Sequence, residues 1–268
     1  MAQLGRRARQ RRNREYLFGV LLMLLVLGIG VAVAYIVMSR PPGLDQDSLC
    51  PAGGPTGHYV LLVDKTDPLT FTQKEAAAVI LRELVEKRIP EGYLLSVFVL
   101  GEDFKQNPKP LVERCNPGTG EDKSDMTNNK RLLRRQYQQG FLDPLLNQAD
   151  SLIATQPAKT SPIFEMMQLV AINGFRRHDV KGERRLVVLS DMLHNTPQFS
   201  MYKGPVDYVA FASSTYGQKS QLEMPGVEIE IHYLMNSPQL QTKRNLQFWE
   251  DYFGKAGARM VAVRPLEG

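Results

Sequence analysis

Residues 16–38, YLFGVLLMLLVLGIGVAVAYIVM, form 23 consecutive positions without a charge or a proline. At a rise of about 1.5 Å per residue such a run crosses a hydrocarbon layer of roughly 30 Å with some tilt. Six arginines precede it (Arg6, Arg7, Arg9, Arg11, Arg12 and Arg14), whereas only Arg40 follows closely, before Pro41-Pro42. The excess of positive charge predicts a cytosolic arm over residues 1–15, a membrane helix over 16–38 and an exported remainder. Ala32-Val33-Ala34 also fits a signal-peptide cleavage site. The apolar run continues for four more residues, and that favours an uncleaved anchor.

Charge distribution then limits the partners. Seven of the 33 basic residues and one of the 28 acidic residues lie in the first 40 positions. The rest carries 26 basic against 27 acidic side chains, so the net charge of +5 belongs to the arm. A nearly neutral exported part lacks the basic face that nucleic acid requires. Lys130, Arg131, Arg134 and Arg135 form a local basic cluster that reads as a solvated helix face. Two cysteines, Cys50 and Cys115, are too few for a cysteine-rich zinc scaffold. In an oxidising compartment they either pair, pinning the linker to the domain, or stay as two thiols.

Residues 39–57 are rich in Pro, Gly and Asp and read as a linker, leaving 58–268 as the folded domain. Strand-like apolar runs at 58–63, 93–100, 185–190, 226–234 and 260–263 alternate with helical patterns at 72–87, 127–155, 161 onward and 238–256. A short edge strand is expected at 110–115. Thr72 and Glu75 have the spacing of a capping box, and Ser161-Pro162 reads as a cap followed by a first-turn proline. Phe248, Trp249, Tyr252 and Phe253 have the spacing of a packed helix face. Glu228 and Glu230 read as a solvated strand face. The alternation predicts an α/β fold: a doubly wound, mostly parallel, Rossmann-like sheet with helices on both faces, preceded by one transmembrane helix.

In such sheets ligands bind beyond the carboxyl ends of the strands. The first strand ends in Asp64-Lys-Thr66-Asp67-Pro68, and the RLVVLS strand ends in Asp191-Met-Leu-His194. Ser161 precedes a helix between them. Carboxylates and hydroxyls of this kind suit a hard divalent cation such as Mg²⁺, with a structural, hydrogen-bonded Asp64 as the metal-free alternative. This order of motifs resembles the von Willebrand factor type A family and its metal-ion-dependent adhesion site. The resemblance implies Asp64, Thr66, Ser161 and Asp191 as metal ligands. It further implies a protein partner that completes the shell with its own carboxylate, and a binding or scaffolding module in a membrane-associated assembly in place of an enzyme. The site is degenerate: Pro68 stands where the family has a second hydroxyl, and Met192 where it often has Gly. Asp67 reads as a turn residue and, with His194, as a candidate for contact with the partner.

Residues 64–70, Asp-Lys-Thr-Asp-Pro-Leu-Thr, are also similar to the phosphorylation motif of P-type ATPases. That similarity makes an anchored hydrolase or phosphotransferase using Asp64 the alternative. No Gly-Asp-Gly-x-x-Asn-Asp run accompanies the motif, and a single membrane helix forms no transport path. No Gly-x-Ser-x-Gly elbow, phosphate loop or His-Glu-x-x-His is present either.

Overall fold

The computed structural model describes residues 2–38, 43–103, 105, 108–122, 129–155, 157–178, 180–204 and 206–267, with side chains from Arg14 onward except Ile36. The chain divides into two compact units. One comprises 1–42 with 120–130, the other 43–119 with 131–268.

In the first unit a single helix, α1 (Ala2–Met38), contains the apolar run. Its stretch Arg14–Tyr35 is long and apolar enough to cross a membrane, and its described side chains are exposed on all faces. Apolar side chains on every face of a helix suit a lipid surrounding.

The second unit is built on one six-stranded sheet of order β3-β2-β1-β4-β5-β6. The strands are β1 (Gly57–Asp64), β2 (Tyr93–Leu100), β3 (Val112–Cys115), β4 (Arg184–Ser190), β5 (Val227–Leu234) and β6 (Arg259–Leu266). Only β3 runs antiparallel to its neighbour. The doubly wound arrangement anticipated above is therefore present. β1 is buried along its whole length, because helices cover both faces of a parallel sheet.

Two cores result, one on each face. On one, Tyr59, Leu61 and Val63 of β1 pack against α2 (Phe71–Glu83) and α4 (Asp143–Ile153). On the other, Val60 and Leu62 pack with α5 (Ile163–Leu169) and α8 (Lys243–Lys255), whose Phe248, Trp249, Tyr252 and Phe253 are buried as the periodicity required. Residues 192–217, which carry no clear period, contribute Phe199, Phe211 and Tyr216 to an aromatic cluster around Phe164.

Several local expectations change. The capping box is made two residues earlier, by Thr70 and Gln73, because Gln73 also bonds Asn236 and the Leu266 carbonyl. Ser161 does not cap α5; Pro162 precedes that helix without a side-chain cap. Glu230 is not solvated: it is buried and bound by Arg88, with His232 Nε2 3.0 Å away. The polar helix at 127–155 is α3 (Lys130–Arg135), a π-helical stretch (Gln136–Leu142) holding Gly140, and α4.

The linker stretch from Gly43 lies on the second unit. The Cys115 amide donates to the Ser48 carbonyl, and Cys50 is disulfide-bonded to Cys115 across 65 residues of sequence. Leu49 is buried against Gly140 with φ at 58°, a left-handed conformation held by that packing. Closing a loop of this length stabilises the fold by about 4 kcal/mol in the chain-entropy account, chiefly through the unfolded chain. The Cys50→Ser/Cys115→Ser pair should therefore unfold at lower denaturant with the sheet intact, as read by circular dichroism. An unchanged midpoint would contradict this.

Candidate functional site

The order β2-β1-β4 makes the gap between β1 and β4 the switch point, where successive connections leave to opposite faces and a crevice opens at the strand ends. β1 ends there in Asp64 and β4 in Ser190. Three loops meet at this place and are laced by backbone bonds. Ala158 N donates to Thr66 O, and Ser161 and Asn195 exchange both of their backbone bonds at 2.8 and 3.0 Å.

Asp64 is the hub of the side chains. Its Oδ1 accepts from Thr66 N at 2.9 Å and Thr66 Oγ1 at 2.6 Å, and its Oδ2 accepts from Ser190 Oγ at 2.7 Å. Thr66 Oγ1 is hydrogen-bonded to Ser161 Oγ at 3.0 Å. Asp191 Oδ1 accepts from Leu193 N at 2.9 Å, while its Oδ2 is buried without a hydrogen bond of ordinary geometry. Asp67, half-buried, and the Tyr202 hydroxyl lie beside Asp191.

Three of the four residues expected to hold an ion are thus directly bonded to one another, and Asp191 stands in the same carboxylate group. Burial raises the pKa of Asp64 against the hydrogen bonds from Thr66 and Ser190. Burial also raises Asp67. Asp191 is raised well above the carboxylate range by burial and then by the charges of Asp64 and Asp67. Like charges removed from water demand either shared protons or a cation. The donors are all carboxylate and hydroxyl oxygens, and an unpartnered buried oxygen is among them, so the set fits a hard cation. Among the described residues no three His, Cys, Asp or Glu side chains are placed to chelate one ion. The hydroxyls of Thr66 and Ser161 would therefore be needed.

One residue of the site lay beyond the sequence reading. Ser190 joins the site, although it could have been noticed as a hydroxyl at a strand's carboxyl end. Thr70, the obvious substitute for the hydroxyl missing at Pro68, is committed to capping α2. Met192 has φ at 55°, the left-handed region that favours glycine. Its buried side chain in the core and the Trp249 Nε1 bond to its carbonyl at 2.9 Å hold it there.

His194 does not face a partner. It is fully buried against Phe164, its Nδ1 accepting from the Phe164 amide and its Nε2 meeting Tyr216 and Thr196 hydroxyls. Burial holds its pKa down at about 3, so it stays neutral.

No family model matches the chain, and no curated protein matches it. Three solved structures resemble the chain at low identity. An aerotolerance-related membrane protein of Bacteroides fragilis, with multiple mutations to serines, is 14% identical over 79% of this chain and 91% of its own, with a TM-score of 0.34. The SpRpn10 VWA domain is 11% identical over 79% of this chain and 89% of its own, TM-score 0.35. The human COPII-coat protein Sec24c is 7% identical over 80% of this chain and 30% of its own, TM-score 0.37.

The carboxylate cluster predicts a pH signature. Without a divalent ion, a carboxyl whose folded pKa is raised contributes stability fully present below about pH 4, and that contribution is lost as pH rises through the folded value. Asp191→Asn, which stays neutral, should be more stable than the natural chain at pH 8 in chelator, the advantage vanishing towards pH 4. Denaturation curves across that range check it. Buried neutral His58 and His194 act in the opposite sense in both proteins and cancel in the difference. A pH-independent difference would contradict the assignment.

Proposed function

We propose that this chain is a membrane-anchored protein-binding module of the von Willebrand type A kind, with its arm cytosolic and its α/β domain exported. Asp64, Thr66, Ser161 and Asp191 would hold Mg²⁺, and a partner's carboxylate would complete the ion's shell. The observation that carries the reading is the hydrogen-bonded Asp64–Thr66–Ser161 set with the buried Asp191 carboxylate beside it, at the switch point of the sheet. When bound, the ion supplies positive charge that offsets the clustered carboxylates and an open position for an acidic ligand.

The chain's own residues prepare this. Ser190 and the Thr66 amide fix the Asp64 carboxyl in orientation, and the Leu193 amide fixes that of Asp191. Gln241, donating to the Asp191 carbonyl, ties the loop to the segment before α8, and Trp249 ties it to α8 itself. The same bonds weigh against Asp64 as a phosphoryl nucleophile. Both of its oxygens already accept hydrogen bonds inside a buried site, which leaves it poorly placed to attack a substrate.

Titration of the full chain in detergent with Mg²⁺ or Mn²⁺ by calorimetry should give saturable binding near neutral pH. Asp64→Ala and Asp191→Asn should abolish it, and the natural chain's melting temperature should rise with ion concentration as mass action requires. A natural chain that stays folded and takes up no ion would contradict the metal reading.

A further inference from the structure

Helix α2 carries apolar side chains on two sides. Gln73, Ala77 and Leu81 are buried on its inner side. Phe71 and Val79 lie on the outer side and are 76% and 63% exposed. At 3.6 residues per turn, Phe71, Glu75, Val79 and Arg82 fall within an arc of about 80°. Glu75 is exposed. The Arg82 side chain is 66% exposed and meets Glu86 at 3.9 Å. An ion pair that long and that wet contributes little, so it leaves the guanidinium available to a better partner.

This stripe is complementary to itself when two copies of α2 run antiparallel. With Val79 against Val79 on a two-fold axis, Glu75 lies about 6 Å along the helix on one side and Arg82 about 4.5 Å on the other. The two-fold then brings Glu75 of each copy beside Arg82 of the other, giving two ion pairs around an apolar centre. A parallel pairing would set Glu75 against Glu75 and Arg82 against Arg82, which like charge opposes. Ala78, half-buried beside Val79, is small and lets the two helices approach. One acid and one base at matched distances from an apolar residue make the second copy the surface that fits.

We propose that α2 is a contact between two copies of this chain, packed antiparallel about Val79. The contact is independent of the strand-end site and stands whether or not that site holds an ion. A few side chains from each copy make a small interface, so the association is weak and reversible, and covalent trapping suits it. The two native cysteines are bonded to each other, so Val79→Cys supplies one free thiol per chain. The full chain in detergent is oxidised with copper phenanthroline, and the disulfide-linked dimer is read on a non-reducing gel. Val209→Cys is the reference: Val209 is 73% exposed on α6 (Tyr208–Ser213), which packs on the opposite face of the sheet. Val79→Cys should be trapped faster than Val209→Cys by about fivefold or more, because the contact holds its two thiols together. In the Val79→Cys chain, Glu75→Arg or Arg82→Glu turns both ion pairs repulsive and should lower trapping by about fivefold. Glu75→Arg together with Arg82→Glu exchanges the charges and should restore it. Circular dichroism checks each fold, and a charge variant that unfolds is replaced by Glu75→Gln or Arg82→Gln, expected to lower trapping by about twofold. Trapping at Val79 no faster than at Val209 would overturn the contact. So would a charge exchange that stays as low as the single variants. Trapping at Val79 that ignores the charges would mark a dimer held elsewhere in the chain, and it too would overturn the proposal.

Discussion

Parallel pairing of β1 with β4 is the constraint on which the remaining structure depends. Six residue pairs, from His58 with Arg184 to Val63 with Leu189, set the two strands in one register. That register brings the end of β1 beside the end of β4, so Ser190 reaches Asp64 at 2.7 Å across 126 positions of sequence. A slip of one residue would exchange the two faces and bury Asp64 in the wrong core. The fully apolar interior of both strands makes such a slip costly, because Val60 and Leu62 already fill one core and Leu61 and Val63 the other.

The site inherits its chemistry from this geometry. Ends of parallel strands supply backbone amides and short polar side chains, and here these are spent on carboxylates. Oxygen donors gathered out of water without matching cationic charge form a local conflict within an otherwise consistent fold. Conflicts of that kind are where function is most often found. Met192 in its left-handed conformation, held by Trp249 and its own burial, is a second local cost at the same place.

Much of this was legible because it follows from local chemistry. The membrane run and the buried strands are plain in composition, and the strand-end aspartates follow from where the strands stop. What was not legible depended on distant partners. Thr70 with Gln73 and Thr72 with Glu75 satisfy one capping pattern equally well. The choice falls to Gln73, whose amide reaches Asn236 and Leu266. Glu230 looks like a solvent-facing residue until Arg88, 142 positions away, lies over it. His194 stands next to the metal motif in sequence yet turns inward, because Phe164, Phe199 and Tyr216 build an aromatic pocket that takes its ring.

The central claim is that the switch-point oxygens form one cation site. Crystals of the protein grown with Mn²⁺ and measured near the manganese absorption edge test it most directly. The account predicts one anomalous peak at the strand ends, within coordination reach of the Thr66 and Ser161 hydroxyls and linked directly or through water to Asp64 and Asp191. A well-ordered site with no peak there, or with a peak only elsewhere on the domain, would contradict it.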